Sequence, residues 1–427
     1  MADDLSRRNE ALVRHLLSIR AISQPAVANA FRAVPRHLFL PDLPASQVYQ
    51  DEAIPTKLEA GRAISSSSQP AMMAIMLEQL ELAAGQRVLE IGAGTGYNAA
   101  LLGQLVGPGG RVVTVDIDAD LVAAAKAHLA AAGSANVQVV CADGGEGFAP
   151  GAPYDRLILT VGAWDILPAW QQQLAPGGRL VLPLHLAVGP QQSVAFDKTQ
   201  PGSEPRFISR SARDCGFMPM RGAFAGPEVV SLLGRAPEVS LATPGAPSAA
   251  PERIAQWLAG EPARLNTRLM ITESESFGTL SLWLGLHAGH ALCTLTVEAG
   301  PSGRWPSLYQ FTGSSPTTMA IGLLAEDSLA LLDRGWPDVA RASRTPDEPS
   351  PFELEVTGYG PRGDQAARHL LRLAAAWDAA GRPPSSRLRL RVYGPDAPYE
   401  LAQGEVLLQK RWTRLVADWP IQAAANV

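Results

Sequence analysis

The chain has 427 residues, 46% of them hydrophobic and 18% charged, and a formal net charge of −5. That length suits two domains with ample core, and the acidic balance argues against a surface built for nucleic acid or anionic lipid, where basic patches are expected. Apolar runs stay shorter than the roughly 18–20 residues that span a bilayer, and the opening MADDLSRRNE has no apolar secretory segment, so a cytoplasmic location is expected. Cys141, Cys215 and Cys293 are scattered without CxxC spacing and are expected to be buried thiols. The seven histidines form no HxH or HExxH pair, so no metal site is expected.

Residues 7–33 predict two helices, because RRNEALVRHLLSI and PAVANAFRAV both repeat apolar residues at i, i+3 and i+4. Ser23 is the expected cap of the second. VPRHLFLPDLP breaks the period with prolines and leads into the extended VYQDEAIPT. Four serines in GRAISSSSQP (61–70) then precede the helix PAMMAIMLEQLEL, where Pro70 suits the first turn. From residue 86 the strands QRVLEIG, GRVVTVDI, VQVVCAD, YDRLILTVG and GRLVLPL alternate with the helices NAALLGQLV, ADLVAAAKAHLAAAG and AWQQQL. That alternation implies a parallel sheet covered on both faces, and SVAFDKT is expected to return antiparallel. APEVSLATPGAPSAAPE, rich in Pro, Ala and Ser, reads as a linker. Beyond it TRLMITESE, GTLSLWLGLH and ALCTLTVE are expected as strands or mixed elements. PTTMAIGLLAEDSLALLD and DQAARHLLRLAAAWDAA are expected as helices and RLRLRVYGPD as a strand. The expected division is an N-terminal helical segment with the acceptor site (1–80), a Rossmann-like core (81–215), a linker (216–250) and a C-terminal α/β accessory domain (251–427), with peptide recognition as its candidate role.

VLEIGAGTGYNAALL (88–102) carries the clearest chemistry. A buried strand ends near Glu90, and Gly92, Gly94 and Gly96 turn the chain into a helix; glycines let backbone approach a ligand closely. The next strand ends at Asp116, 20 residues after Gly96, where a carboxylate reaches the hydroxyls of a ribose. The G-x-G-x-G spacing with a preceding acid differs from the G-x-G-x-x-G of dinucleotide enzymes. It is the form that S-adenosylmethionine-dependent methyltransferases show, so the expected fold is a class I methyltransferase, α/β, with a mostly parallel Rossmann-like sheet. Glu90 is suited to organising the loop and the cationic methionine end of that cofactor, with Ile117 and Gly144 beside it. Asp143 is either an adenine contact or a plain turn and N-cap.

Four segments together resemble the protein-L-isoaspartate (D-aspartate) O-methyltransferases: AFRAVPRHLFLPD, YQDEAIPT with ISSSSQPAMMAIMLEQLEL, VLEIGAGTGYNAALL, and YDRLILTVGA with LAPGGRLVLPL. The resemblance implies a carboxyl O-methyltransferase that uses S-adenosylmethionine and gives S-adenosylhomocysteine. It also implies a serine near the carboxylate, in a tetrapeptide that is usually I-S-Q-P. A literal ISQP at 22–25 lies upstream of VPRHLF, in the wrong place. At the matching place the chain reads Ile64, Ser65, Ser66, Ser67, Ser68, Gln69, Pro70, with extra residues inserted, and Ser68 is the best match. Length is the second departure, since the chain continues far past GGRLVLPL. RDCGFMPMRG, ESESFGTLSLWLGL and the tail resemble a subfamily that acts on ribosomally made, modified peptides of the lanthipeptide and ATP-grasp-made kinds. That subfamily implies a modified precursor peptide as partner, whose methylated aspartate closes to an aspartimide or ends as isoaspartate. Repair of isoaspartate in damaged proteins is the alternative, and a peptide-binding scaffold without activity the rival from another class.

An aspartate is ionised near neutral pH, its reference pKa being about 3.9, so methyl transfer needs alignment rather than a general base. Ser65, Ser66, Ser67 and Ser68, with the free N–H groups of the following helix, are expected to supply neutral donors to the carboxylate. Ile64, Gln69, Thr160 and Val161 are candidate substrate contacts, Thr160 being equally suited to a structural strand end. Asp51 either orders the segment before the serines or is an exposed loop acid. Met72, Met73 and Met76 read as core rather than peptide groove, and Trp283, Trp305 and Trp336 as core before peptide sites.

Overall fold

Acidic Asp3 and Asp4 open the first helix, α1 (Ala2–Ser18), and His15 closes it, charges that suit the helix dipole. Its buried Leu12, Val13 and Leu16 share a core with Val27 and Phe31 of α2 (Pro25–Ala33). The computed structural model describes residues 2–59, 62–189, 191–235, 238–298, 305–311, 317–335 and 351–420. Ser23 does not cap α2; Gln24 holds the N-cap position without a side-chain bond. The Glu78 carboxylate instead accepts from Ser23 N, Ser23 Oγ and Gln24 N at 3.0, 2.5 and 2.7 Å, an ionised acceptor outcompeting the local backbone. A short helix α3 (Ala45–Val48) and the hairpin β1 (Ile54–Glu59) and β2 (Arg62–Ser67) follow. Helix α4 (Pro70–Leu80) then starts on its proline.

The methyltransferase-like core runs β3 (Arg87–Ile91), α5 (Tyr97–Val106), β4 (Arg111–Asp116), α6 (Ala119–Ala131), β5 (Val137–Cys141), β6 (Tyr154–Leu159), α7 (Pro168–Gln173), β7 (Leu174–His185), β8 (Gln191–Lys198) and β9 (Phe207–Cys215). Strands pair in parallel in the order β5-β4-β3-β6-β7. β8 returns antiparallel to β7, as expected, and β9 antiparallel to β8. The central strands are buried on both faces, which is why they read as continuous apolar runs. Cys215 and Cys293 are buried, but Cys141 is exposed, because β5 is the outermost strand of this sheet.

The rest of the chain departs from the expected division. It comprises β10 (Val229–Arg235), β11 (Glu238–Thr243), α8 (Pro251–Leu258), β12 (Ala263–Ile271), a π-wound turn Glu275–Leu280 leading into α9 (Ser281–His287), β13 (Leu292–Glu298), β14 (Tyr309–Phe311), β15 (Thr317–Leu324), β16 (Leu329–Gly335), β17 (Phe352–Tyr359), α10 (Gly363–Ala379), β18 (Arg389–Tyr393), β19 (Val406–Gln409) and β20 (Arg414–Asp418). A second sheet, antiparallel throughout, has the order β10-β11-β13-β15-β16-β17-β12, with β14 beside β15. The expected linker therefore holds two strands, and β11 alternates buried and half-buried residues as a paired strand does. PTTMAIGLLAEDSLALLD is a hairpin, not a helix: β15 and β16 are joined by a turn in which Ala325 N donates to Ser328 O at 2.8 Å. GTLSLWLGLH is helical rather than extended. The accessory region is not one unit after 251 either, because β18, β20 and β19 extend the first sheet beyond β9. Among the described residues no helix is long and apolar enough to cross a membrane.

Candidate active site

A cavity of about 520 Å³ lies at the carboxyl ends of the parallel strands, where ligands bind in open α/β sheets. Its floor is the loop after β3. Gly92 has φ +102, and a Cβ there would sit 2.6 Å from Thr160 Oγ1, so neither the backbone nor the space admits a side chain. Gly94, also at positive φ, lies under the serine strand: a Cβ on it would stand 3.6 Å from Ser66 O. Asp116, at the end of β4, is nearly buried in the cavity wall, with Oδ2 accepting from Gly94 N at 2.9 Å and Oδ1 from Asp118 N at 3.2 Å. Ile117 and Gly144 line the same end. Gly96, the last of the three glycines, is the N-cap of α5.

Glu90 lies wholly buried beneath this loop. Its Oε1 accepts from Asn98 Nδ2 at 2.7 Å, while Oε2 has no hydrogen-bond partner. Burial pushes its carboxyl up to about 7, against the opposing Asn98 bond. Asp143 holds the N-cap position: its Oδ1 accepts from Gly145 N at 2.9 Å and its Oδ2 from Ala223 N at 3.0 Å.

Strand alternation divides the four serines. Ser65 and Ser67 are buried, Ser65 Oγ accepting from Thr56 Oγ1 at 3.1 Å and Ser67 Oγ from Arg36 Nη2 at 3.3 Å. Ser66 and Ser68 are half-buried on the other face, and their hydroxyls make no hydrogen bond among the described residues. Ile64, Gln69 and Val161 line the cavity as expected. Thr160 does too, but its hydroxyl donates to Gly92 O at 2.6 Å and so braces the glycine loop. Asp51 is no loose loop acid: Oδ1 accepts from Ala71 N at 2.8 Å and Oδ2 from Gln69 Nε2 at 3.2 Å. One of the free helix-start donors is thereby occupied. Met73 and Met76 are buried in the core, and Met72 and Met73 both line the cavity. Trp283 is half-buried and stacks on His287 at 3.9 Å, Trp305 is half-buried, and Trp336 lies outside the described residues.

Arg36, in VPRHLF, is a site residue that the sequence alone does not single out. It is 0% exposed. Its guanidinium donates to Val48 O, Gln50 O and Ser68 O at 3.0 Å each, to Glu52 O at 3.2 Å and to Ser67 O at 3.5 Å. No carboxylate pairs with it among the described residues, so a buried positive charge stands directly behind the serine strand, where neutral donors alone were expected. The available signal was a lone arginine inside an otherwise apolar turn. The opposite wall is the loop Asp214–Arg221, which runs from β9 back toward β4. Gly162 N donates to Met218 O and Met220 N to Gly162 O, both at 2.8 Å, and Arg221 Nη2 meets Asp118 Oδ2 at 2.6 Å. Lys57 on β1 joins the same Asp118 at 3.1 Å.

A glycine loop under positive-φ constraint, a ribose-height carboxylate and a parallel sheet opened at its switch point define a class I S-adenosylmethionine-dependent methyltransferase. A family model described as "Protein-L-isoaspartate(D-aspartate) O-methyltransferase (PCMT)" matches residues 7–223. The protein-L-isoaspartate O-methyltransferase of Methanopyrus kandleri is 38% identical over 237 residues, 53% of this chain and 100% of that protein. The Rhodopseudomonas palustris protein-L-isoaspartate O-methyltransferase 1 is 40% identical over 221 residues, 52% of this chain and 86% of that protein. The chain belongs to the protein-L-isoaspartate O-methyltransferase family. A solved structure of a protein-L-isoaspartate O-methyltransferase is 23% identical with a TM-score of 0.49, over 90% of this chain and 96% of that one.

Proposed function

We propose that the chain esterifies the free α-carboxylate of an isoaspartyl residue in a peptide or protein. The observation that supports this most is the cavity itself, in which Ser66 and Ser68, whose hydroxyls make no hydrogen bond among the described residues, share one space with the glycine loop and Asp116. The residues fit the cofactor: Asp116 suits its ribose and the loop at Gly92 and Gly94 its close approach, while Glu90, with one oxygen unpaired, places an acidic group behind that loop on the side of the cationic end. S-adenosylmethionine, when bound, supplies an electrophilic methyl group on a sulfonium. This chain's residues do the remainder. Ser66 and Ser68 donate to the acceptor carboxylate, replacing the water it loses on burial, and the Arg36 charge behind the strand favours an anion there without touching it. The carboxylate oxygen forms the new bond to carbon as the sulfur–carbon bond breaks, so no proton moves and no base is needed. Methanol is then the leaving group when the neighbouring amide nitrogen closes to a succinimide.

Isotope transfer from labelled S-adenosylmethionine to matched isoaspartyl and aspartyl peptides tests the reading. Base-labile label on the isoaspartyl peptide is expected, and absence of ester on either would overturn it. A second reading is supported by the extra serines and by the chain beyond residue 223, which the family match does not reach. In it the acceptor is an aspartate of a cyclised ribosomal peptide of the lanthipeptide or ATP-grasp-made kind, passing through an aspartimide to isoaspartate. Ester on the cyclic aspartyl peptide, with none on the linear isoaspartyl one, selects that reading.

A further inference from the structure

The cavity is not closed by family-matched residues alone. Phe277 lines it, from the part of the chain that builds the second sheet and is here called the second body, and several features of the chain put it there. Glu275–Leu280 is wound as a π-helix, a rare conformation that recurs at functional sites. In the widened turn the Ser276 carbonyl accepts from Ser281 N instead of the residue an α-helix would use, and Ser276 is buried. It accepts from Ser281 Oγ at 2.6 Å and Tyr309 Oη at 2.7 Å, and these hydroxyls are themselves 2.6 Å apart. Burial pushes the Tyr309 phenol up, so it stays protonated and able to donate. Tyr309 also meets Phe277 edge to face at 5.4 Å between ring centres.

The start of the turn is tied down as well. Glu275 accepts from Thr272 N at 2.8 Å and from Arg382 Nη1 at 3.0 Å. Gly278, the residue after Phe277, packs so closely on the first sheet that a Cβ would stand 2.7 Å from Asp214 Oδ2. Asp214 is fixed in turn by Gln192 Nε2 at 2.7 Å and Ser385 Oγ at 3.0 Å. Phe277 is thus seated at the β9 end of the cavity. The carboxylate for the ribose is on β4, and β3, β6, β7 and β8 lie between the two strands. The ring therefore belongs to the acceptor side, where Met72, Met218 and Met220 also line the wall.

We propose that Phe277 is a specificity-determining residue of the acceptor pocket: an aromatic wall, donated by the second body, that receives the side chain flanking the methylated carboxylate and selects an apolar one. This rests on the carboxyl-methyltransferase reading and names the peptide context that reading leaves open. Aromatic and thioether surface gains nothing from an acidic neighbour, which would lose its water against it. An apolar neighbour buries area on both sides.

The test uses the full-length protein and two peptides identical except for leucine or glutamate beside the acceptor residue. The wild type is expected to favour the leucine peptide by about tenfold or more in kcat/KM. F277S is expected to bring the ratio to within about twofold, chiefly through KM for the leucine peptide. F277L should keep most of the preference, and S-adenosylhomocysteine affinity should be the same in all three proteins. Y309F, which withdraws a donor from the Ser276 carbonyl, is expected to shift the ratio in the same direction by less. Equal use of both peptides by the wild type, or an unchanged ratio in an F277S protein that still binds S-adenosylhomocysteine, overturns the inference and leaves methyl transfer standing. No ester on either peptide from the wild type overturns the function reading itself, and this inference with it.

Discussion

The two ends of the cavity are built in opposite ways. At the cofactor end one stretch, Val88 to Asp116, supplies the loop, the helix start and the ribose carboxylate through neighbouring strands. At the acceptor end Arg36, Ser66 and Ser68, the Asp214–Arg221 loop and Phe277 come from four separate parts of the chain. The difference is one of dependence. The glycine loop is shaped by its own backbone, whereas the serine strand is held by a buried cation from a turn far upstream, and the outer wall by hydroxyls of another sheet. The cofactor end should therefore tolerate damage elsewhere, and the acceptor end should fail when its distant supports are removed.

The sharpest way to break that contrast is R36M. It strips a donor from five carbonyls, Val48, Gln50, Glu52, Ser67 and Ser68. Each buried acceptor left unpaired costs about 1–3 kcal/mol, a sum comparable with a domain's whole stability of about 5–15 kcal/mol. A large fall in melting temperature and loss of peptide methylation are expected, and R36K should restore little, since a lysine ammonium has no planar fork to span these carbonyls. Hydrogen exchange should show residues 48–52 and 65–68 opening before β3 and β4. Uniform opening would erase the contrast.

At the cofactor end the corresponding liability is Glu90. With its carboxyl raised from 4.5 to about 7 in the fold, the unfolded chain ionises first as pH rises through that window. Its contribution is then present below about pH 4.5 and lost through pH 7, about 3 kcal/mol in all. His185 works the other way: burial lowers it from 6.5 to about 4, so its contribution is present above 6.5 and lost as pH falls toward 4. The two partly cancel in the wild type, and the informative quantity is the difference from E90Q. Denaturant unfolding of the cofactor-free protein at pH 5 and pH 8 should show E90Q gaining on the wild type with pH, while its cofactor affinity drops. Parallel profiles would mean that Glu90 is ionised in the fold.

The same contrast explains what was legible in the sequence. The parallel strands, the glycine loop, Asp116 and the serine strand carry local signals: period, spacing and neighbouring motif. β15 and β16 were mistaken for a helix because both are buried almost throughout, which removes the two-residue alternation and leaves an apolar run without a period. The supposed linker hid β10 and β11, whose pairing partner β13 lies beyond α8 and β12. The return of β18 and β20 to the first sheet and the arrival of Phe277 at the cavity are long-range events that leave no local pattern. Arg36 was visible but mute, since a buried arginine is read only when its acceptors are known.

The serines sharpen the comparison at the scale of single bonds. S66A or S68A removes a neutral donor to an anion, and kcat/KM should fall by about 10- to 100-fold with melting temperature unchanged. S67A should do the reverse, costing stability through its bond to buried Arg36 with a smaller effect on turnover. If S67A lost the activity and S68A the stability, the strand's facing would be the opposite of that assigned.

The smallest effect is expected where the two ends are clasped together. Arg221 from the acceptor wall and Lys57 from the hairpin meet on Asp118, just past the ribose carboxylate. The Arg221 guanidinium beside it holds the Asp118 carboxyl below its ordinary range, yet both cations are partly exposed and screened by salt. R221A should therefore weaken S-adenosylhomocysteine binding by less than about fivefold, through faster dissociation rather than slower association, and the difference from wild type should shrink at high salt. A larger, salt-independent loss in titration calorimetry would show that Arg221 touches the cofactor directly. The cofactor end would then depend on the acceptor wall after all.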